Sequence, residues 1–151
     1  MFKFSLESLL RLNEQFEEQA KNKLGEATKR LNQEISAYES LNQELNSLYD
    51  GLRKTSSLDS AGLQHFHNYL RLLNMNRVQQ LLVVEKLRQE AGLAKAELIA
   101  RKQEVQKLVR LKEKGRLKYD LLERRTEQKN LDEIALGQFV RQNMSQRRES
   151  L

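Results

Sequence analysis

Several residue types are absent from the sequence or scarce in it. There is no cysteine, no proline and no tryptophan among the 151 residues, and only 6% are aromatic. Without cysteine there can be no disulfide bond and no thiolate metal site. Without proline, no long helix is interrupted by a residue that lacks an amide donor. No apolar run approaches the roughly 18 residues that indicate a membrane-spanning helix, so no transmembrane segment is expected.

The start of the chain does not resemble a secretory signal, because Glu7 and Arg11 occupy the place of an apolar core. A cytoplasmic protein is therefore expected. Hydrophobic residues make up 38% of the chain and charged residues 32%. That is too little apolar material for a compact globule, but enough for one apolar seam along a helix.

The net charge of +6 is unevenly distributed. Residues 1–57 sum to −1, 58–100 to +1, 101–130 to +6 and 131–151 to zero. A basic surface of this kind can bind nucleic acid, an acidic protein or anionic lipid, or can be a solvated helix face.

The strongest structural signal is a seam of mainly apolar residues between Leu63 and Leu122. Its positions are separated by steps that alternate between three and four residues, as in Leu63, Phe66, Leu70 and Leu73. A mean spacing of 3.5 keeps one helix stripe facing a partner helix, whereas a strand would need a period of two. The seam therefore predicts a long coiled-coil helix.

A second seam precedes it. It begins Leu6, Leu9, Asn13, Phe16 and continues to Leu52. The two seams are separated by residues 51–62, the chain's only cluster of glycine, serine and aspartate, which predicts a turn. Asp59 or Ser60 can cap the second helix, and so short a link favours antiparallel neighbours.

The two seams are complementary in an antiparallel register. The residue numbers of facing positions, such as Leu45 with Leu73 and Leu24 with Ala94, add to 118. Leu6 then faces Lys112, and residues 113–140 have no partner within the chain. The predicted fold is all-α: one coiled-coil domain forming an antiparallel two-helix hairpin with the second helix longer than the first. The expected bounds are about 4–53 and 62–140 for the helices, 54–61 for the turn and 141–151 for a frayed tail.

No constellation of residues predicts catalysis, a cofactor or a metal. His65 and His67 are two residues apart and point to different faces of a helix, so they do not form a ligand pair. Paired carboxylates such as Glu17 and Glu18 lack a cleft in a two-helix hairpin. We therefore expect a protein that is not an enzyme.

A second apolar group lies near the start of the second helix. Tyr69, Leu72 and Met75 are off the seam and close to the predicted turn. They are candidates for a protein contact, or they wrap around the end of the hairpin and cover Leu58 and Leu63.

Two stretches resemble the bacterial flagellar export protein FliJ family. They are the opening Phe4-Ser-Leu-Glu-Ser-Leu-Leu-Arg-Leu12 and the late Glu127-Gln-Lys-Asn-Leu-Asp-Glu-Ile-Ala135. The resemblance extends over essentially the whole chain. It implies a non-enzymatic, stalk-like component of the flagellar type III export apparatus, located in the cytoplasm and peripherally associated with the cytoplasmic face of the membrane at the flagellar base.

The resemblance also implies partners and site residues. The partners are the export ATPase FliI, the export-gate protein FlhA and export chaperones, whose substrates the protein helps to hand over. The family's gate contacts fall on Tyr69, Leu73, Asn76 and Gln80, the last two differing from the family's side chains. The ATPase contacts would lie at the end carrying both termini, and include Gln128, Lys129, Leu131, Asp132 and Glu133.

Three other functions remain open from the residues alone. The first is the stalk of a virulence-type secretion system, with the same mechanics and other partners. The second is a coiled coil that binds nucleic acid through residues 101–130, although no clustered aromatic residues supply a stacking platform there. The third is a structural homodimer in which the unpartnered helix pairs with its own copy.

Overall fold

The chain forms two helices in the computed structural model, which describes residues 1–55 and 59–150. Helix α1 is Glu7–Lys54 and helix α2 is Ser60–Glu149, with lengths of 48 and 90 residues. The described residues contain no strand. The all-α prediction with a longer second helix is confirmed. The centre of the expected turn lies outside the described residues, as does Leu58, which the apolar group near the turn was expected to cover.

The helix ends differ from the expected bounds. Helix α1 begins at Glu7 instead of residue 4, since the Glu7 amide donates to the Phe4 carbonyl at 3.2 Å in a preceding turn. Residues 141–149 were expected to fray, but α2 continues through them to Glu149. The chain has no proline to stop the helix there, and Arg147 and Arg148 in the last turn suit the negative end of the helix dipole.

Hydrogen bonds close the two helix ends that flank the link. The Asp59 carboxylate accepts from the Gly62 amide at 2.8 Å, and its carbonyl accepts from the Leu63 amide at 3.0 Å. Asp59 is therefore the N-cap of α2, one of the two caps predicted. At the end of α1, the Thr55 hydroxyl and amide both donate to the Gly51 carbonyl, at 2.6 and 3.1 Å.

Contacts divide the chain into two compact units, Leu12–Gln103 and Met1–Arg11 with Glu104–Leu151. Each is described by itself, and the expectation of a single domain stays a prediction.

In the unit Leu12–Gln103, the two helices lie antiparallel. The Lys23 ammonium is 3.1 Å from the Glu97 carboxylate, and the Arg101 guanidinium lies 4.8 Å from the centre of the Phe16 ring. The buried core side chains are Ala20, Leu45, Leu73, Val84, Ala94 and Leu98.

The predicted register is confirmed by this core. The residue numbers add to 118 in each of two pairs of core residues, Leu45 with Leu73 and Ala20 with Leu98. Every predicted seam position of α2 from Phe66 to Arg101 is buried or half-buried. Leu63, predicted as the first position, is exposed because it lies in the first turn after the cap.

In the unit Met1–Arg11 with Glu104–Leu151, the buried apolar side chains are Leu10 and Leu108, whose numbers also add to 118. Leu6 and Leu9, the predicted seam positions, are 39% and 44% exposed. The Lys112 ammonium lies 2.8 Å from the Glu7 carboxylate, although Leu6 was expected opposite it. At its start the first seam therefore runs one residue later than predicted, because Leu10 is the apolar residue in register with Leu108.

Candidate docking surfaces

An exposed apolar surface lies on α2 in the unit Leu12–Gln103. We call it the tip surface; it consists of Tyr69, Leu72, Met75, Val78 and Leu82, which are 42–67% exposed. Successive members are three or four residues apart and are therefore neighbours on the helix surface. Three successive steps of three residues make about two and a half turns, so the surface winds around α2 from Tyr69 to Val78 on the opposite side. An open groove beside them is lined by Tyr49 of α1 and by Leu70, Met75 and Val78 of α2.

The four residues assigned to an export-gate contact do not form one exposed surface. Tyr69 and Asn76 are exposed. Leu73 is 5% exposed and belongs to the core opposite Leu45. Gln80 is half-buried, and its amide group donates to the backbone carbonyl of Glu34 at 3.2 Å and also to the Glu34 carboxylate. Leu73 and Gln80 thus hold the two helices together, which leaves Tyr69 and Asn76 accessible to a partner.

A hydrogen bond across the two helices orients Tyr69. Its hydroxyl donates to the Glu44 carboxylate at 2.7 Å. This bond, and the negative charge of Glu44, raise the pKa of Tyr69 above its ordinary value of 10.0. The phenol therefore stays neutral at physiological pH, with its ring exposed on the tip surface.

Sequence analysis missed Val78, Leu82 and Tyr49. The signal was the stretch Val78–Val84, which contains no charged residue although charged residues make up 32% of the chain. A helix whose solvent-facing side chains are uncharged and aliphatic over two turns presents an apolar surface as well as a seam.

A second exposed surface is the end of α2. Every residue from Leu121 to Ser150 is exposed, and we call this stretch the tail surface. Its large apolar side chains are 52–66% exposed: Leu121, Leu122, Leu131, Ile134, Leu136, Phe139, Val140 and Met144. The polar run from residue 123 to 130 divides them into two groups. An unpartnered end of the second helix was predicted, and its exposure is confirmed.

The five residues assigned to an ATPase contact all lie on the tail surface, within two turns of helix. The Gln128 side-chain amide donates to the Asp132 carboxylate at 3.1 Å, one turn away. Leu131 is 61% exposed. Lys129 and Glu133, also one turn apart, form no ion pair with any residue in the described ranges 1–55 and 59–150. The helix therefore presents an exposed leucine next to an unpaired cation and an unpaired anion.

The first residues of the chain cover α2 just before the tail surface. The Met1 amino group donates to the Tyr119 hydroxyl at 2.7 Å, and the Phe2 ring lies 5.8 Å from the Tyr119 ring, between centres. A β-carbon added to Gly115 would meet the Phe2 ring at 3.2 Å. Met1 and Phe2 thus pack on Gly115 and Tyr119, which sequence analysis had placed on the seam without a partner.

The part of the chain that the structure describes contains no group of three or more histidine, aspartate or glutamate side chains arranged to hold a metal ion. Among the same residues, neither helix is apolar enough over a sufficient length to cross a membrane.

One comparison with known proteins identifies a family. A family model described as "Flagellar FliJ protein" matches residues 2–144, which include the tip surface and all eight large apolar side chains of the tail surface. No curated protein and no solved structure matches the chain.

Proposed function

Because this chain belongs to the flagellar FliJ protein family, we propose that it is a non-enzymatic, stalk-like connector within the flagellar protein export apparatus. Its family makes it a component of that apparatus. In our proposal the tail surface binds the export ATPase FliI, and the tip surface binds the export-gate protein FlhA. The connector promotes ATPase assembly and activity and assists the handover of chaperone-bound substrates. It acts in the cytoplasm at the flagellar base, associated with the membrane through the gate.

The ATPase half of the proposal is supported by the exposure of the tail surface. In proteins, a helix gains most of its stability from the burial of an apolar face. The tail surface carries eight large apolar side chains and buries none of them. It also overlaps the end of the most basic part of the chain, residues 101–130 with a net charge of +6. Such charge accelerates association with an acidic partner.

The gate half is supported by the tip surface. Contiguous exposed apolar side chains mark protein contact sites more often than scattered ones do. Tyr69 adds an exposed aromatic ring with a fixed orientation, the kind of residue that is enriched at interface centres. Two separate surfaces, one in each compact unit, suit a protein that connects two partners.

The ATPase contact is tested by deleting residues 124–151; those that the structure describes, 124–150, contribute no buried side chain. We expect the deletion to abolish stimulation of purified FliI while the thermal unfolding of the remaining chain stays unchanged. Leu131→Ser should lower stimulation, whereas Leu93→Ser, the same change at a position that is 73% exposed in the other unit, should not. Undiminished stimulation by the deleted chain would contradict the ATPase contact.

The gate contact is tested with Tyr69→Ala combined with Leu72→Ser, which alters two exposed side chains. We expect weaker binding to the cytoplasmic domain of FlhA with unchanged stimulation of FliI. Leu73→Ala is the comparison variant: it opens a cavity in the core, so it should weaken folding and both contacts together. Equal losses of gate and ATPase binding in the Tyr69/Leu72 variant would contradict a separate gate surface.

A further inference from the structure

We propose that two copies of this chain pair through the tail surface, with residues 122–140 of one copy antiparallel to the same residues of the other. We further propose that this dimer covers Lys129 and Glu133, two of the five proposed ATPase-binding residues, and is a resting form. The second statement rests on the proposed function, whereas the pairing itself rests only on the residues of α2.

The stripe that would pair continues the seam of the hairpin. On α2, Leu108 and Lys112 lie against the start of α1, and Gly115 and Tyr119 are covered by Phe2. Further steps of three and four residues lead to positions that are all exposed: Leu122, Thr126, Lys129, Glu133, Leu136 and Val140. The same helix stripe therefore passes from covered to uncovered between Tyr119 and Leu122.

The uncovered stripe is complementary to itself. In one antiparallel register, where facing residue numbers add to 262, Leu122 faces Val140 of the second copy and Thr126 faces Leu136. Lys129 then faces Glu133 of the second copy. By the two-fold symmetry each of these pairs occurs twice. Layers with aliphatic residues thus form the two ends of the interface. Two ion pairs, each between Lys129 of one copy and Glu133 of the other, form its centre.

Neighbouring registers lack this complementarity. A shift of one heptad in one direction places Leu122 opposite Glu133 and Lys129 opposite Thr126. The shift in the other direction places Lys129 opposite Val140 and Glu133 opposite Leu136. Both arrangements bury a charge without a partner, which is costly. Charged residues at seam positions commonly select one register in this way.

The charges involved are free to pair. Lys129 and Glu133 form no ion pair within the described part of one chain, so a second copy would not have to break an existing contact. Beside the seam, the register also brings Arg125 next to Phe139 of the second copy. An arginine on a phenylalanine ring is the contact that Arg101 and Phe16 already make within the chain at 4.8 Å.

The dimer should be weak and reversible. Its six layers contain only Leu122, Leu136 and Val140 as aliphatic residues from each chain, so we expect a dissociation constant on the order of 10–100 µM. Lys129 and Glu133 belong to the proposed ATPase contact, which means that self-pairing and ATPase binding exclude each other. A dimer of this strength is displaced by a tighter partner.

The experiment is sedimentation of the full-length chain over that concentration range, with the variants Lys129→Glu and Glu133→Lys. The wild-type chain should dimerise. Each variant alone places like charges opposite each other twice, and its dimerisation should weaken at least about tenfold. An equimolar mixture of the two variants restores both ion pairs between unlike chains, and should dimerise about as well as the wild type. A chain carrying both substitutions should also dimerise.

Arg124→Glu is the matched control, because it makes the same change in charge on the same exposed helix but away from the stripe. It should dimerise like the wild type. A monomeric wild-type chain throughout the range would overturn the proposal, and so would a mixture that remains monomeric. No ATPase is present in this experiment. If dimerisation follows the charge pattern but the deletion of 124–151 leaves FliI stimulation intact, the pairing stands and the proposed function fails.

Discussion

The Phe2 ring occupies the space that a side chain at Gly115 would fill. A ring carbon lies 3.2 Å from the position of a β-carbon on Gly115, closer than an ordinary contact. The absence of a side chain at residue 115 therefore admits the aromatic ring to the surface of α2. The Met1 amino group then reaches the Tyr119 hydroxyl one helical turn further on.

Enlarging Gly115 should release the N-terminal segment. Gly115→Leu places a branched side chain where the Phe2 ring lies, so we expect loss of the nuclear Overhauser contacts between the Phe2 and Tyr119 rings, whose centres lie 5.8 Å apart. Gly137→Leu is the control, because no atom lies within 4 Å of a β-carbon at that residue. Unchanged contacts between the two rings in the Gly115 variant would contradict the packing of Phe2 against α2.

The shifted start of the first seam predicts that alanine substitutions at two neighbouring leucines lower stability by unequal amounts. Leu10→Ala removes a side chain that is 4% exposed, and should lower the free energy of unfolding by about 2 kcal/mol. Leu9→Ala removes one that is 44% exposed, and should lower it by less than about 1 kcal/mol. Thermal or urea unfolding measures both. If Leu9→Ala lowered the free energy of unfolding more than Leu10→Ala, Leu9 would be the seam residue, as predicted from the sequence.

The contact between Gln80 and Glu34 should favour one register at some expense of stability. Replacing both by leucine extends the apolar seam and should raise the free energy of unfolding by roughly 1–2 kcal/mol. Gln80→Leu alone leaves the half-buried Glu34 carboxylate without its donor, and should be less stable than the double variant. A double variant less stable than the wild type would show that the polar contact is a net source of stability.

The hydrogen bond from Tyr69 to Glu44 should appear in an alkaline titration. The pKa of Tyr69 is raised in the folded chain, so the bond's contribution to stability is fully present below pH 10. It is lost as the pH rises through the raised pKa. Tyrosinate absorbance of the wild type minus that of Tyr69→Phe should show a tyrosine that titrates later than normal.

The control for this titration is Glu44→Gln, which removes the charge but keeps a polar group. It should return the pKa of Tyr69 towards its ordinary value, since the hydrogen bond to the carboxylate is the largest cause of the shift and the charge of Glu44 the next. A Tyr69 that titrates normally in the wild type would contradict the bond.

The fold was largely predictable because a two-helix coiled coil encodes its pairing in one dimension. The seam spacing placed Leu45 opposite Leu73, and both are buried. The seam spacing carries no information where packing is not between two regular seams. Phe2 and Gly115 meet through an irregular segment, and the covering of Tyr119 by Met1 and Phe2 has no periodic signal.

The candidate surfaces were predicted less completely. Residues assigned by resemblance to the family included Leu73 and Gln80, which contact the other helix in this chain. A seam position is by definition directed at the partner helix, so the pattern itself argued against their exposure. The exposed Val78 and Leu82 follow from the same pattern, because aliphatic residues off the seam of a two-helix pair have no other helix to cover them.

The polar run from residue 123 to 130 has a consequence for any protein that grips the end of α2. It is a hydrophilic spacer between two exposed apolar groups, one ending at Leu122 and the other beginning at Leu131. With a rise of 1.5 Å per residue, Leu122 and Leu131 are about 13 Å apart along the helix axis. A receptor that buries both leucines must carry two apolar binding surfaces at that separation, with a hydrated polar surface between them.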